Sequence, residues 1–475
     1  MTTSDRQGRA RHLLIFAGIV LPPLLILTVL LPGVPLGEPD VWTWKRFGPF
    51  FDFVLWLELA VCFAAGAFAA WRLDVGGGGR RRLAAAVLIV SGLLADCAIL
   101  NSGRLGLAEN ALAILNPFTT GYLRPAGATP RDFVKDELTV PPGEVPHHRH
   151  VHPPGNVWLA KTVCRLPGSW GGRLLPETGR ELEELRKQDG LIAPLDTPEM
   201  IEAALKLTVL LVLALALGKL VLARMLWRMP GVRARGTAVL TVLFGSNAAV
   251  LFLGHYDTFY FLLAALVLWS VMLAVRQPVR AFFSGFLTGI GGLFTLGFGA
   301  VGGLAAAMSG QGALRWKRLA YFAAGGLAVA AVCMASGVDL WRIFLKCWEN
   351  QRLFQAMSGR GYGIWCLLNV LDALLFCGVL PCLALLLPPE RGRFFRNAWR
   401  WALIFWLFIL FSGGARGEFG RLAIVYLPVL LLALGLHFGR TCPPRETAWR
   451  IAAVGLMLIQ TAFLRNALKL VLIDG

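Results

Sequence analysis

Residues 201–235 read IEAALKLTVLLVLALALGKLVLARMLWRMPGVRAR, an apolar run over 201–223 that ends in the basic stretch RMLWRMPGVRAR. A bilayer core needs about 20 apolar residues per helical span, and runs of this kind recur along the whole chain. Of the 475 residues, 56% are hydrophobic and only 16% charged, which excludes a water-soluble globule. The chain reads as an all-α polytopic membrane protein. The basic end of the 201–223 span also sets its direction, because arginine-rich short loops stay on the inside.

Working back from this span, Arg6, Arg9 and Arg11 precede an apolar run from Leu13 to Leu31. That run is long for a secretory signal and has no small-x-small cleavage site, so it is expected to be a first span. Spans near 50–71 and 83–100 flank the basic stretch RLDVGGGGRRR. Working forward, spans near 237–253 and 258–275 form an outward hairpin whose turn is GHYD (254–257). Segment 281–309 lies between Arg276 and Arg280 on one side and Arg315, Lys317 and Arg318 on the other. Both of its ends belong inside, yet it is too short for two full spans. Its glycine-rich interior, TGIGGLFTLGFGAVGG, predicts a pair of short helices or a re-entrant hairpin buried within protein. Spans near 317–336, 363–387, 399–412, 420–437 and 449–466 complete a bundle of about 11–13 transmembrane helices.

Three regions result: a three-span segment at 1–100, one large external loop at 101–200, and a multi-span bundle at 201–475. The net charge of +18 sits in short loops between spans, so positive-inside placement accounts for it and nucleic acid is excluded as a partner. The nine cysteines contain no CxxC pair, which leaves no zinc ribbon or redox motif. Cys164 and Cys347 are expected on the same face, and a disulfide between them is open.

The polar segments that are not basic anchors are 101–200, GHYD, 337–362 and SGGARGEFGR (412–421). All four are expected on the external face, where one site can be built from them. In the long loop, Asp132, Asp136 and Glu137 are candidates for a carboxylate base, which transfer to a hydroxyl acceptor requires. Asp257 opens a span, where an acid is costly unless it faces a polar cavity or caps the helix. Arg416 and Arg421 flank Glu418 just before another span, and a guanidinium fork suits phosphate oxygens. An interfacial ion-pair cluster is the plainer reading of the same three residues. Arg360 and Tyr362, with Asn369 and Asp372 further into the span, form a second polar cluster.

The order GY…D…HPPG, then YD opening a span, then RGYGIWCLLNVLD, then RGEFGR resembles the membrane glycosyltransferases of the GT-C superfamily, over roughly residues 100–440. The nearest likeness is to dolichyl-phosphate-mannose-protein mannosyltransferase-like and phospholipid-carrier-dependent enzymes. The resemblance implies a GT-C-like bundle and transfer of a sugar from a polyprenyl-phosphate carrier to a lipid, glycan or protein acceptor. The reaction would run on the outer face of the cell (inner) membrane. It implies Asp132 as catalytic acid, with Asp136 or Glu137 as alternates. It also implies His152-Pro153-Pro154-Gly155 as the loop's Pro-Pro motif, Asp257 as the acid opening a later span, and Arg416, Glu418 and Arg421 as the late polar motif. Three spans precede the catalytic loop here where better-studied members have one, so Glu38 and Asp40 compete for the catalytic position. A transporter or flippase of a lipid-linked substrate is the main alternative.

The histidines of HHRHVHPPGN (147–156) suggest a metal site at first sight. Alternating residues before Pro-Pro, however, are expected to be extended and strand-like. His148 and His152 are therefore read as hydrogen-bonding groups near sugar or phosphate. No cofactor is required, and a divalent metal at the departing phosphate is an option the sequence leaves open.

Overall fold

The structure, a computed structural model, describes residues 3–31, 33–34, 36–38, 42–43, 45–46, 52–75, 81–102, 106–116, 123, 138–140, 148–187, 197–245, 247–387, 393–413, 419–440 and 443–468. Among these it is helical, apart from one antiparallel pair of two-residue strands in which Gly37 faces Thr43. Apolar segments placed in lipid must satisfy their backbone internally, and the helix does so within one segment. By length and composition, seven of the described helices are capable of crossing a membrane, or nine if each of two sharply bent pairs is one span. The chain is membrane-embedded.

The Pro198–Arg228 helix shows how the sequence sets an element. Thr197 caps it by accepting from the Met200 amide, Pro198 occupies the first turn, Glu199 sits at the positive dipole end and Arg228 at the negative end. At 1.5 Å per residue its 31 residues extend about 46 Å, more than a hydrocarbon core needs.

The expected short pair is present as Arg280–Phe294 and Phe298–Ser309. Thr295 breaks the helix in an extended conformation, and its hydroxyl accepts from the Gly297 amide at 3.2 Å. The first of these helices lies backbone to backbone on Arg315–Ala335. A Cβ on Gly285 would stand 1.8 Å from the Phe322 carbonyl oxygen, and one on Gly325 would stand 2.0 Å from that of Phe282. Only glycine permits that approach.

Bonds between distant segments define two ends of the bundle. At the arginine-rich end, the Asp74 carboxylate accepts from the amides of Gly236 (2.6 Å) and Thr237 (2.9 Å), capping the Arg235–Phe244 helix. There too the Arg233 amide donates to the Gly439 carbonyl at 2.8 Å. At the opposite, loop-rich end, the polar segments meet.

Several expectations change. Spans foreseen as continuous are broken: Arg235–Phe244 gives way to Asn247–Leu251, and Tyr362–Asp372 runs into a π-helical turn and a break at Gly378, φ +92°. Phe419–Val425 bends by 73° against Leu427–Phe438. Segment 337–362, expected as a loop, holds the 18-residue Leu340–Met357 helix, turned 102° from the one that follows. That helix is two-sided. Ile343, Cys347 and Asn350 are buried, whereas Trp341, Leu345 and Trp348 are exposed along one stripe, as in a helix lying in a membrane interface. Region 101–200 is not wholly a polar loop, because Gly106–Leu115 is buried from Ala108 through Leu115.

Two charges also lie inside the bundle. Asp96, on Arg81–Asn101, and Lys219, on Pro198–Arg228, pair at 2.6 Å with side chains 9% and 1% exposed. The Lys219 ammonium donates in addition to the Leu243 carbonyl at 2.7 Å. Polar groups are therefore not confined to the loop-rich end, as the sequence suggested.

Candidate functional site

The GHYD turn is built on strained backbone. A 3₁₀ turn at Leu253–His255 leads into Tyr256, which adopts φ +66° and ψ −15°. It is the single non-glycine residue with positive φ among those described, and it is fully buried. An aromatic side chain in the left-handed region costs energy, and such outliers gather at functional sites. The kink makes Asp257 the first residue of the Asp257–Ala274 helix, where its charge meets the positive dipole end.

Asp257 is 1% exposed and has a definite partner. The Arg421 Nε–H, from the short Phe419–Leu422 helix, donates to Asp257 Oδ2 at 2.7 Å. The two side chains are 5% and 2% exposed. Two motifs that the sequence could only place on one face are thus in contact. Arg416 and Glu418 lie outside the described residues, so the expected trio of Arg416, Glu418 and Arg421 is represented by Arg421 alone.

The Pro-Pro motif reaches the same region. His152, Pro153, Pro154, Gly155 and Asn156 are all buried. Gly155 sits on the tip of the short helix pair, where a Cβ would come 2.6 Å from the Leu293 carbonyl oxygen. Asn156 Nδ2 donates to the Tyr260 hydroxyl at 2.7 Å, and Tyr260 lies one turn beyond Asp257. The preceding histidines are not extended: His148–Val151 forms a helical turn. Proline restricts the residue directly before it, His152, and leaves the earlier ones free to coil. His150 is buried, and the side chain of His148 lies outside the described residues.

A fourth segment closes the assembly. Asn350, buried on the Leu340–Met357 helix, donates from Nδ2 to the carbonyls of Leu138 and His150, both at 2.8 Å. One side chain thereby clamps two points of the long loop. Arg360 and Tyr362 are engaged nearby. The Arg360 guanidinium stacks 5.5 Å over the Phe354 ring, and the half-exposed Tyr362 donates its hydroxyl to the Phe411 carbonyl at 2.7 Å. Asn369 Nδ2 donates to Leu410 at 3.1 Å, and Asp372 is buried.

Asp132, Asp136, Glu137 and Asp40 lie outside the described residues. Glu38 falls in a two-residue strand, and its side chain is likewise outside them. Among the described residues no group of three or more histidine, cysteine or acidic side chains could hold a metal ion. Cys164 is exposed and Cys347 buried, each a free thiol, so the disulfide between them is absent. Burial raises the Cys164 thiol above its ordinary range, with Lys206 opposing.

Sequence reasoning missed a second buried acid-arginine pair at this end. Glu109, on Gly106–Leu115, pairs with Arg465 at 3.0 Å, and Arg465 Nη2 also donates to the Gly106 carbonyl at 2.9 Å. Gly254 of the strained turn packs on Asn110 of the same helix. The signal was an acid set within GLAENALAIL and an arginine inside the last span, each without a visible partner. In chemical terms, the loop-rich end holds two oriented guanidinium groups in low-polarity surroundings, and there Asn156 and Asn350 tie down the His150–Asn156 segment and Leu138. Neither a protein-family model nor a curated protein sequence matches this chain.

Proposed function

We propose that this chain is a membrane glycosyltransferase that moves a sugar from a polyprenyl-phosphate carrier to a hydroxyl acceptor at the outer face of the cell membrane. The observation that carries the reading is the convergence of four polar segments at one end of the bundle, through Asn156–Tyr260, Asp257–Arg421 and Asn350 with Leu138 and His150. A buried, oriented guanidinium suits a reaction whose leaving group is a phosphate.

In this reading a loop carboxylate, Asp132 with Asp136 or Glu137 as alternates, takes the acceptor's hydroxyl proton. The acceptor oxygen bonds to the anomeric carbon as the bond from that carbon to the carrier phosphate breaks. Arg421, held by Asp257, faces the charge that develops on the departing phosphate, with Arg416 or Arg360 as further candidates. His148, His152, Pro153, Pro154, Tyr362 and Glu418 shape the substrate site, and a divalent ion at the phosphate is optional.

Reconstitution with a polyprenyl-phosphate sugar and a crude membrane acceptor tests the proposal on wild type and the Asp132→Asn, Asp136→Asn and Asp40→Asn variants. Transfer by wild type, and its loss in one variant, supports it; transfer untouched in all three removes the catalytic assignment. The Asp96–Lys219 pair in the bundle favours a second reading, transport of a lipid-linked substrate, because intramembrane charges often mark a translocation path. Lipid movement between leaflets without sugar transfer would decide for it.

A further inference from the structure

At the arginine-rich end, opposite the site above, the helices leave a half-open apolar cavity of about 100 Å³. It is lined by residues of Pro198–Arg228, Asp257–Ala274, Phe298–Ser309, Arg393–Phe411 and Leu427–Phe438. Four of the chain's nine methionines, Met225, Met229, Met272 and Met308, line it, and such flexible thioether walls adapt to an irregular apolar chain. Trp399 forms a fixed wall, its indole N–H donating to the Leu385 carbonyl at 2.7 Å.

The rim is basic. Arg228 adjoins Met229, Arg276 lies one turn beyond Met272, and Arg396 and Arg400 flank Trp399. All four arginines are exposed, and the stretches 224–235, 276–280 and 393–401 that carry them contain no acid. An apolar cavity whose lining residues stand within about one 5.4 Å helical turn of arginines along the chain suits the level where a lipid's chains meet its headgroup.

We infer that this cavity is a binding site for an anionic glycerophospholipid, its acyl chain among the methionines and its phosphate on the arginine rim. The site is independent of the transfer reaction. Two of its helices carry Asp257 and, through the short helix before Leu427–Phe438, Arg421 at their far ends. An occupant therefore holds together, at one end, the elements that the buried ion pair joins at the other.

The test uses the purified full-length chain, stripped of lipid and returned to detergent with either phosphatidylglycerol or phosphatidylcholine. Thermal unfolding and native mass spectrometry are the readouts. Phosphatidylglycerol is expected to be retained and to raise the unfolding midpoint, whereas phosphatidylcholine leaves it in place. Met272→Trp, which fills the cavity, abolishes the response, and Arg396→Gln with Arg400→Gln reduces it to the phosphatidylcholine level. Equal responses to the two lipids overturn the proposal, as does a phosphatidylglycerol response that survives Met272→Trp. Should that variant fail to fold, Ala433→Phe fills the same space from another helix, and retention of phosphatidylglycerol by it is equally decisive.

Discussion

Arg421 and Asp257 stand 164 residues apart in the chain, yet their guanidinium and carboxylate meet at 2.7 Å with almost no exposure to solvent. Two charges taken from water compensate one another only while both are present. Arg421→Gln and Asp257→Asn, each alone, are expected to lower stability by roughly 3–5 kcal/mol, and the double substitution by less than their sum. Thermal unfolding of the three variants in detergent measures the coupling. Strict additivity would show that the contact carries no energy.

Asn350 ties Leu138 and His150 through a single amide nitrogen. Asn350→Ala leaves two buried carbonyls without that donor, at about 1–3 kcal/mol by the usual cost of an unsatisfied group. The effect should be local. Limited proteolysis is expected to cut within 138–152 faster than in wild type, while the unfolding midpoint of the bundle moves little. Unchanged cleavage would mean that the clamp does not order the loop.

Gly155 fits against the Leu293 carbonyl oxygen, which a Cβ would approach to 2.6 Å. Backbone cannot move aside as a flexible side chain can, so Gly155→Ala should lift the Pro-Pro segment from the tip of the short helix pair. Amide exchange at 155–160 is the readout, with faster exchange expected. The sugar-transfer assay should report a loss at least as large as that of Asn156→Ala, which removes side-chain hydrogen bonds to Tyr260 and the Phe294 carbonyl and leaves the backbone contact in place.

Cys164 is exposed overall, and partial desolvation holds its thiol above the ordinary range. Because the thiolate reacts, maleimide labelling should lag behind that of a free cysteine peptide near pH 8.5 and catch up as the pH rises through the shifted value. Cys347, fully buried, should stay unlabelled until the chain unfolds. An impermeant maleimide applied to intact cells also tests orientation: labelling of Cys164 from outside agrees with the proposed external loop, and labelling only after lysis contradicts it.

Much of this architecture was legible in the residues because lipid imposes strict rules on them. The 201–223 run, the basic ends and the glycine-rich 281–309 pair could be read directly, since apolar length and arginine placement are local properties. Asp257 and Arg421 could each be marked as costly near a span, but their contact spans 164 residues and no local pattern encodes it. Glu109 and Arg465 were missed for the same reason, each looking like an isolated charge in an apolar stretch. The Leu340–Met357 helix escaped notice because its polar residues resemble a loop; its two-sidedness shows only once Asn350 is seen facing inward and Trp341 outward.

The Asp96–Lys219 pair bears on how the protein is made. Asp96 precedes its partner by 123 residues, with the whole of 102–197 between their helices. A lone charge within an inserting helix is costly, by up to about 2.5–3.5 kcal/mol at the helix centre on translocon scales, and Asp96 lies five residues from the end of its helix. Arg81–Asn101 is apolar enough to span alone, so the pair with Lys219 lowers the cost of keeping Asp96 inside once Pro198–Arg228 has been synthesised. During synthesis the length of 102–197 sets how long the nascent acid stands without its lysine, and a deletion that shortens it brings the two together sooner.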